Sequence, residues 1–458
     1  MRNRGTWSSS GGGGCGLAGA VRAAQLGAQV LLLEKEPDLG GNTAHSIGSV
    51  PGAGTRFQEA AGIADSPAQF VTDLRGQAGE HLDDPVADRL CGISADLVHW
   101  LVDEAGVELS LTEDYMHIAH SVNRLHNPPN REGIEIVRYL EATARALGVQ
   151  IGTGVPVTGV APDGHLMQVT TATTVYAARN VLLATDGFGA DRELVAKQIP
   201  EAARLPYFGG PGNTGDGIRL GEQLGGHTAS MDAMLGYAAM AQPSEGPVSF
   251  ETMFSWTVPE KGGIFVTAAG HRFGDESVGY SAFTDEVLAH TEGVSYAVFD
   301  QRILDHVCAY EKRFRLIAQR TDTPILRAEE PHALAAHYGL PAAALAASMT
   351  AYNAAARGDT ADEHGRTGFG FAPLVAPFYI AKTVPGIFTT QGGLRIDADA
   401  RVLSTDGAPI PRLYAGGGTT AGICGPSGAR GYVSGNGLLS ALGYGYLAGG
   451  HAARSLLQ

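Results

Sequence analysis

The stretch "TWSSSGGGGCGLAGAVRAAQLGAQVLLLEKE" (residues 6–36) decides the fold. Gly11, Gly13 and Gly16 fit G-x-G-x-x-G, a turn that lets backbone approach a pyrophosphate closely. The following "LAGAVRAAQLGA" is small and apolar, a helix able to pack tightly on a sheet. "QVLLLEKE" then reads as a buried parallel strand ending in Glu34, 18 residues after Gly16. An acid at that distance, at the tip of the second strand, accepts hydrogen bonds from a ribose. Turn, helix, strand and acid in this order predict a dinucleotide site, with the pyrophosphate on the helix N-terminus. The residues before the turn depart from the pattern. A first strand of Val, Ile and Leu is expected, and Ser8, Ser9 and Ser10 stand there instead. They predict a shortened edge or weakened cofactor retention.

The chain has 458 residues, 44% hydrophobic and 17% charged, with 64 glycines, so a lone glycine motif is weak and the segments after it carry the reading. The length predicts two domains. A net charge of −15 without a Lys/Arg block excludes phosphate-backbone binding, so no nucleic-acid partner is expected. No apolar run of about 18 residues predicts a membrane span. "MRNRGTW" is basic but leads into no apolar stretch, unlike a secretory signal. Cys15, Cys91, Cys308 and Cys424 are widely spaced and read as free thiols of a cytoplasmic protein.

Residues 55–150 carry apolar spacing of i, i+3, i+4 in "DSPAQFVTDLRGQA", "DPVADRLCGISADLVHWLVDEAG" and "GIEIVRYLEATARALG" and predict helices. "VQIGTGVPVTGVA" and "MQVTTATTVYA" predict a small β-meander. "RNVLLATDGFGAD" and "PRLYAGGGTT" each read as strand then glycine turn, and "GNGLLSALGYGYLAGGHAARSLL" as a closing helix. These patterns predict an α/β dinucleotide domain from residues 1–230 and 371–458, with a mixed domain inserted at 231–370.

"GGGGCGLAGA", "LLLEKEPDLGGNT", "LLATDGFGADREL", "NTGDGIRLGEQLGG", "GGIFVTAAGHRFGDES" and "GIFTTQGGLRIDADARVL" resemble the fumarate reductase/succinate dehydrogenase flavoprotein family, which includes the 3-ketosteroid dehydrogenases. The resemblance runs in order along nearly the whole chain. It implies FAD, and a Rossmann-like FAD-binding domain with an inserted capping domain and the active site between them. It implies that Gly11, Gly13 and Gly16 hold the pyrophosphate and Glu34 the adenosine ribose. Gly41, Asn42 and Thr43 would line the isoalloxazine, and Thr185, Gly187 and Asp216 the flavin side. Gly417 and Gly418 would form the last cofactor turn. Asp186 replaces a glycine of the family's "ATGG" turn, and Gly418 stands where many members have Glu. Asn42 falls where members with covalent flavin have His, which implies non-covalent FAD.

The resemblance also bears on the chemistry. Arginines and histidines that clamp a dicarboxylate in fumarate reducers fall here near Tyr280, Tyr432, Tyr237 and Thr389. Tyrosines at such positions resemble the 3-ketosteroid Δ1-dehydrogenases and related cyclic-ketone desaturases. Carried over, Tyr280 would take the α-proton, and Tyr432 with the N–H of Asn436 would bind the ketone oxygen. Tyr115 would assist. Each tyrosine also has a structural reading, its ring buried and its hydroxyl held by backbone. Arg430, Arg124 and Arg131 are candidates for a substrate carboxylate, with Thr389 beside them as a substrate contact. His117, His120 and His126 show no metal-site spacing. The expected reaction is FAD-dependent desaturation of a cyclic ketone, a compact oxocyclohexane carboxylate or a 3-ketosteroid, with oxygen or another electron acceptor. Reduction of an activated alkene is the alternative within this chemistry, and a flavin-binding protein without turnover the alternative outside it.

Overall fold

The computed structural model describes residues 7–79 and 84–455. Its chain forms two compact units, one of Met1–Pro200, Gly209–Met234 and Thr389–Gln458, the other of Glu201–Phe208 and Leu235–Phe388.

The first unit is built on a six-stranded sheet. Its order is Arg401–Leu403, Pro409–Ala415, Asn180–Leu183, β1 (Trp7–Ser10), β2 (Val30–Leu33) and Gln150–Gly152. All pairings are parallel except that between Arg401–Leu403 and Pro409–Ala415. The serine strand is thus an interior strand, with Ser10 opposite Leu183 on one side and Leu33 on the other. This corrects the expected shortened edge. Ladder hydrogen bonds come from the backbone and do not require apolar side chains. Small side chains are what the position needs: a β-carbon at Gly16 of α1 (Gly14–Gln25) would stand 2.9 Å from the Ser9 hydroxyl.

The strand Gln150–Gly152 joins this sheet rather than the meander, which forms from Val157–Asp163, Leu166–Thr171 and Val175–Ala178. The predicted helices appear as Arg56–Ala60, Pro67–Ala78, Asp84–Asp103 and Gly133–Ala146. Ser66 caps the second through Gln69 N–H, with Pro67 at its first position.

The closing helix, Asn436–Ser455, lies against α1 along a seam of glycines. A β-carbon at Gly445 would come within 2.3 Å of the Cys15 carbonyl oxygen, and one at Gly449 within 2.5 Å of the Gly19 carbonyl oxygen. Such contact is open only to glycine, and it fixes α1 between sheet and closing helix.

The second unit centres on a sheet ordered Met234–Ala241, Phe378–Thr390, Ser295–Asp300 and Ile264–Val266. A buried ion cluster braces it: Glu276 accepts from Arg272 Nη2 at 2.8 Å and Arg366 Nη1 at 3.0 Å, and Arg272 also pairs with Asp362. Among the described residues no helix is long and apolar enough to cross a membrane. All four cysteines are free.

Candidate functional site

A cleft of about 330 Å³ opens in the first unit where β1 and β2 end. Gly11, Gly13, Glu34, Gly41, Asn42, Thr43, Thr185, Asp216, Gly417 and Gly418 all line it. Gly16 and Gly187 stand behind the lining and allow close packing: their β-carbons would meet the Gly11 carbonyl oxygen at 1.9 Å and Thr390 Oγ1 at 2.1 Å. Gly11 adopts φ +110°, which glycine tolerates, and its β-carbon would lie 2.1 Å from the Ala184 carbonyl oxygen.

The residues fit FAD. The first turn of α1 faces the cleft through Gly13, Gly14 and Cys15, and its leading N–H groups have no carbonyl four residues back. Gly14 N–H is taken by Thr43 Oγ1 at 3.1 Å, while the helix end as a whole offers a positive pole to a pyrophosphate. Glu34 accepts from Gly12 N–H at 2.6 Å and Glu36 N–H at 2.8 Å, one on each oxygen. The second lone pair of each oxygen is available to ribose hydroxyls. Burial pushes the Cys15 thiol far up, so it is a neutral wall of the cleft.

Asp216 lines the cleft but is engaged by the protein. Its carboxylate pairs with Lys35 Nζ and with Arg219 Nη2, each at 2.6 Å. Burial acts to raise its pKa, and the Lys35 and Thr214 hydrogen bonds overcome this and hold it low. Asn42 Oδ1 accepts from Gly210 N–H at 2.7 Å, tying α2 (Gly41–His45) to the loop at residues 209–215. Thr185 Oγ1 accepts from Gly217 N–H at 2.8 Å. Thr389 Oγ1 reaches Asp186 Oδ1 at 3.4 Å.

Tyr432 lies in the same unit, just before the closing helix. Its hydroxyl is 3.9 Å from where a Gly437 β-carbon would stand, which puts a phenol against the first turn of that helix. The expected donor beside it is corrected: Asn436 N–H donates to the Val433 carbonyl at 3.1 Å. Gly437 and Leu438, next in the turn, have no intrahelical acceptor for their N–H groups. Arg430 is exposed in the loop before Tyr432.

Arg124 is not a substrate ligand. It is fully buried, with Nε 2.9 Å from Asp65 Oδ2 and Nη1 2.6 Å from Asp73 Oδ2. Its Nη1 also meets His120 Nδ1 at 3.3 Å. Arginine only donates, so His120 carries its proton on Nε2 and gives it to the Ser434 carbonyl at 2.8 Å. Burial pushes His120 down to about 4, consistent with this neutral ring. The chain Asp73–Arg124–His120–Ser434 thereby holds the loop of Tyr432 from beneath. Tyr115 packs edge-on to His117, with centroids 4.6 Å apart. Arg131 is exposed and paired with Asp114.

In the second unit Tyr280 follows Gly279, at φ +95°, and stacks on Tyr237 with centroids 5.1 Å apart and planes 30° from parallel. The Tyr280 carbonyl accepts from Ala238 N–H at 3.0 Å and Thr284 Oγ1 at 3.1 Å, which fixes its backbone. Tyr237 is buried and donates its hydroxyl to the Phe254 carbonyl at 2.7 Å. Burial pushes its pKa far up. This corrects the expectation for Tyr237: its proton is committed, and it supports the Tyr280 ring.

The family model described as FAD binding domain matches residues 10–437. The chain belongs to that family, the flavoproteins of the fumarate reductase type. Its members named below are FAD-dependent oxidoreductases acting on carbon–carbon bonds. This flavoprotein is 30% identical to an NADH:fumarate oxidoreductase of Klebsiella pneumoniae (strain 342), over 97% of the chain and 47% of that protein. It thus spans about half the length of that relative. It is 28% identical to a fumarate reductase (cytochrome) of Shewanella frigidimarina, over 97% of the chain and 76% of that protein. It superposes on the 3-ketosteroid-Δ4-(5α)-dehydrogenase of Rhodococcus jostii RHA1 with a TM-score of 0.78 at 25% identity, covering 98% of this chain and 97% of that one.

The flavoprotein's cleft also has polar lining residues outside the expected set. Lys35 and Asn213 line it, and so does Asp186. The signal for Lys35 was its place directly after Glu34 at the strand tip. Asn213 had one too, since it opens the "NTGDG" stretch from which only Asp216 was taken.

Proposed function

We propose that the chain is an FAD-dependent dehydrogenase that introduces a double bond α,β to the carbonyl of a cyclic ketone. The observation that carries this reading is the Tyr432 hydroxyl set against the first turn of the closing helix. A phenol and the positive end of a helix together stabilise negative charge on an oxygen, as enolisation of a ketone requires. In this reading Tyr432 donates to the ketone oxygen, aided by the first-turn amides at Gly437 and Leu438. Tyr280 accepts the α-proton, and Tyr237 holds its ring in place. Bound FAD supplies the acceptor for the hydride leaving the β-carbon. Gly11, Gly13, Glu34, Gly41, Asn42, Thr43, Thr185, Gly417 and Gly418 are the residues proposed to hold it, non-covalently because Asn42 offers an amide rather than an imidazole.

Arg430, an exposed residue of the loop before Tyr432, favours a ketone that also carries a carboxylate. Thr389 is proposed as a further substrate contact. Reoxidation falls to oxygen or another electron acceptor. The curated relatives favour a second reading, since they are named as fumarate reductases: the same groups run in reverse, with Tyr280 giving a proton to an activated alkene.

Anaerobic mixing with a panel of cyclic ketones tests the assignment. A saturated ketone is expected to bleach the flavin, and Tyr280→Phe and Tyr432→Phe are each expected to slow bleaching about 10²-fold or more. Flavin unchanged by every saturated ketone, yet reoxidised by an enoate after chemical reduction, would replace the dehydrogenase with the reductase.

A further inference from the structure

Asp186 is a non-glycine residue at φ +62°, in the left-handed region, and it sits half-buried in the wall of the cofactor cleft. Aspartate tolerates that region better than most residues, yet the conformation is uncommon and marks a site where something else demands it. The demand is visible in its partners. Oδ1 accepts from Gly187 N–H at 2.8 Å and from Thr389 Oγ1 at 3.4 Å. Oδ2 accepts from Asn213 Nδ2 at 3.2 Å. Asn42 adds a further side-chain hydrogen bond. The Asn42 amide oxygen is already used by Gly210, so its NH₂ is the group that turns to the carboxyl. The backbone is held as well, with Thr419 Oγ1 donating to the Asp186 carbonyl at 3.2 Å.

The carboxyl also fills a neighbour's place. A β-carbon at Gly418 would stand 2.0 Å from Asp186 Oδ1 and 3.1 Å from its Cγ. The turns at 185–187 and 417–419 therefore have room for one side chain between them, and position 186 supplies it.

We propose that Asp186 is a positioning residue of the FAD cleft, gathering Asn42, Asn213, Thr389 and the Gly187 amide into one array, and that this carboxyl is exchangeable with one placed at 418. The proposal rests on FAD as the cofactor and extends it to residues that shape the cleft from behind. Every donor it gathers is neutral, so burial raises the carboxyl's pKa despite the four hydrogen bonds. Cys15, the titratable group that feels its charge across the cleft, is itself held protonated by burial.

Asp186→Gly, Asp186→Asn, Gly418→Ala and the double variant Asp186→Gly/Gly418→Glu test this. Each is checked for native circular dichroism as apoprotein, then titrated with FAD by fluorescence quenching, and the visible band shape of the bound flavin is recorded. Asp186→Gly and Gly418→Ala are expected to weaken FAD binding roughly 10- to 100-fold, the size of one or two charged hydrogen bonds, and to change the band shape. Asp186→Asn keeps the volume and tolerates the backbone but turns an N–H toward donors, so it is expected to fall between wild type and Asp186→Gly. The double variant is expected to regain most of the affinity and the wild-type band shape. Wild-type affinity and band shape in Asp186→Gly would overturn the positioning role. A double variant no better than Asp186→Gly would overturn the exchange. Wild-type protein that does not bind FAD would instead overturn the cofactor assignment itself.

Discussion

Arg124 shows how one buried side chain separates a structural role from a catalytic one. Its guanidinium bonds to both Asp65 oxygens, at 2.9 and 3.0 Å, and to Asp73 at 2.6 Å, all within the first unit's core. Removing the cation leaves two desolvated carboxylates facing each other, and breaking a buried pair in this way costs about 3–5 kcal/mol. Arg124→Met is therefore expected to lower unfolding stability by that amount in urea titration. A variant with wild-type stability and only a raised KM would return Arg124 to the substrate site. Asp65 lies 59 positions from Arg124 and Asp73 lies 51. That distance is why the sequence offered the arginine as a free ligand: the partners that neutralise it come from a loop and the helix after it, whose placement is tertiary.

At the scale of elements, β1 inverts a common expectation. Ser8 and Ser9 are buried in the middle of a parallel sheet, and they differ in what they touch. The Ser9 hydroxyl lies against Gly16, where extra methyl groups have no room. The Ser8 hydroxyl is buried without a partner among the described residues. Ser9→Val is expected to destabilise by about 1–3 kcal/mol through overpacking. Ser8→Ala is expected to stabilise by about 1 kcal/mol by removing an unsatisfied hydroxyl. Denaturant titration of the pair decides the matter, and a stabilised Ser9→Val would mean the serine there is only a defect.

The glycine turn, α1, β2 and Glu34 were legible because they follow one another locally, each with its own period and punctuation. The helices between residues 56 and 146 were legible for the same reason. Strand partners were not. Gln150–Gly152 has the same pattern as a hairpin strand, and only packing sends it to β2. Asp186 was visible as a departure from a glycine turn, but its fit to the empty side of Gly418 is a property of two turns brought together by the sheet. The amide of Asn436 was assigned by position, and the turn made by Val433 takes it.

Across the whole molecule, buried histidines set an acid limit. His120 and His126 are each pushed down to about 4 by burial, with the hydrogen bonds to the Ser434 and Val50 carbonyls opposing in part. In the unfolded chain each titrates near its ordinary value of about 6.5. Folded pKa below unfolded pKa means that the unfolded state binds protons first on acidification. The stability these neutral rings contribute is complete above about pH 6.5 and is lost as pH falls toward their folded value. Each adds a slope of up to about 1.4 kcal/mol per pH unit in that window. Thermal unfolding should therefore shift to lower temperature between about pH 6.5 and 4, whereas a flat profile would mean that the rings are protonated in the native state.

The glycine seam between α1 and the closing helix has a consequence for biogenesis. The helix that carries the phosphate-facing turn is made well before the helix that supplies Gly445 and Gly449, the glycines it packs against. Until that later helix is made, the flank of α1 that packs on Gly445 and Gly449 lacks this cover. The glycine face of the later helix is thus a precondition for the α1 turn to reach the place from which it faces the cleft.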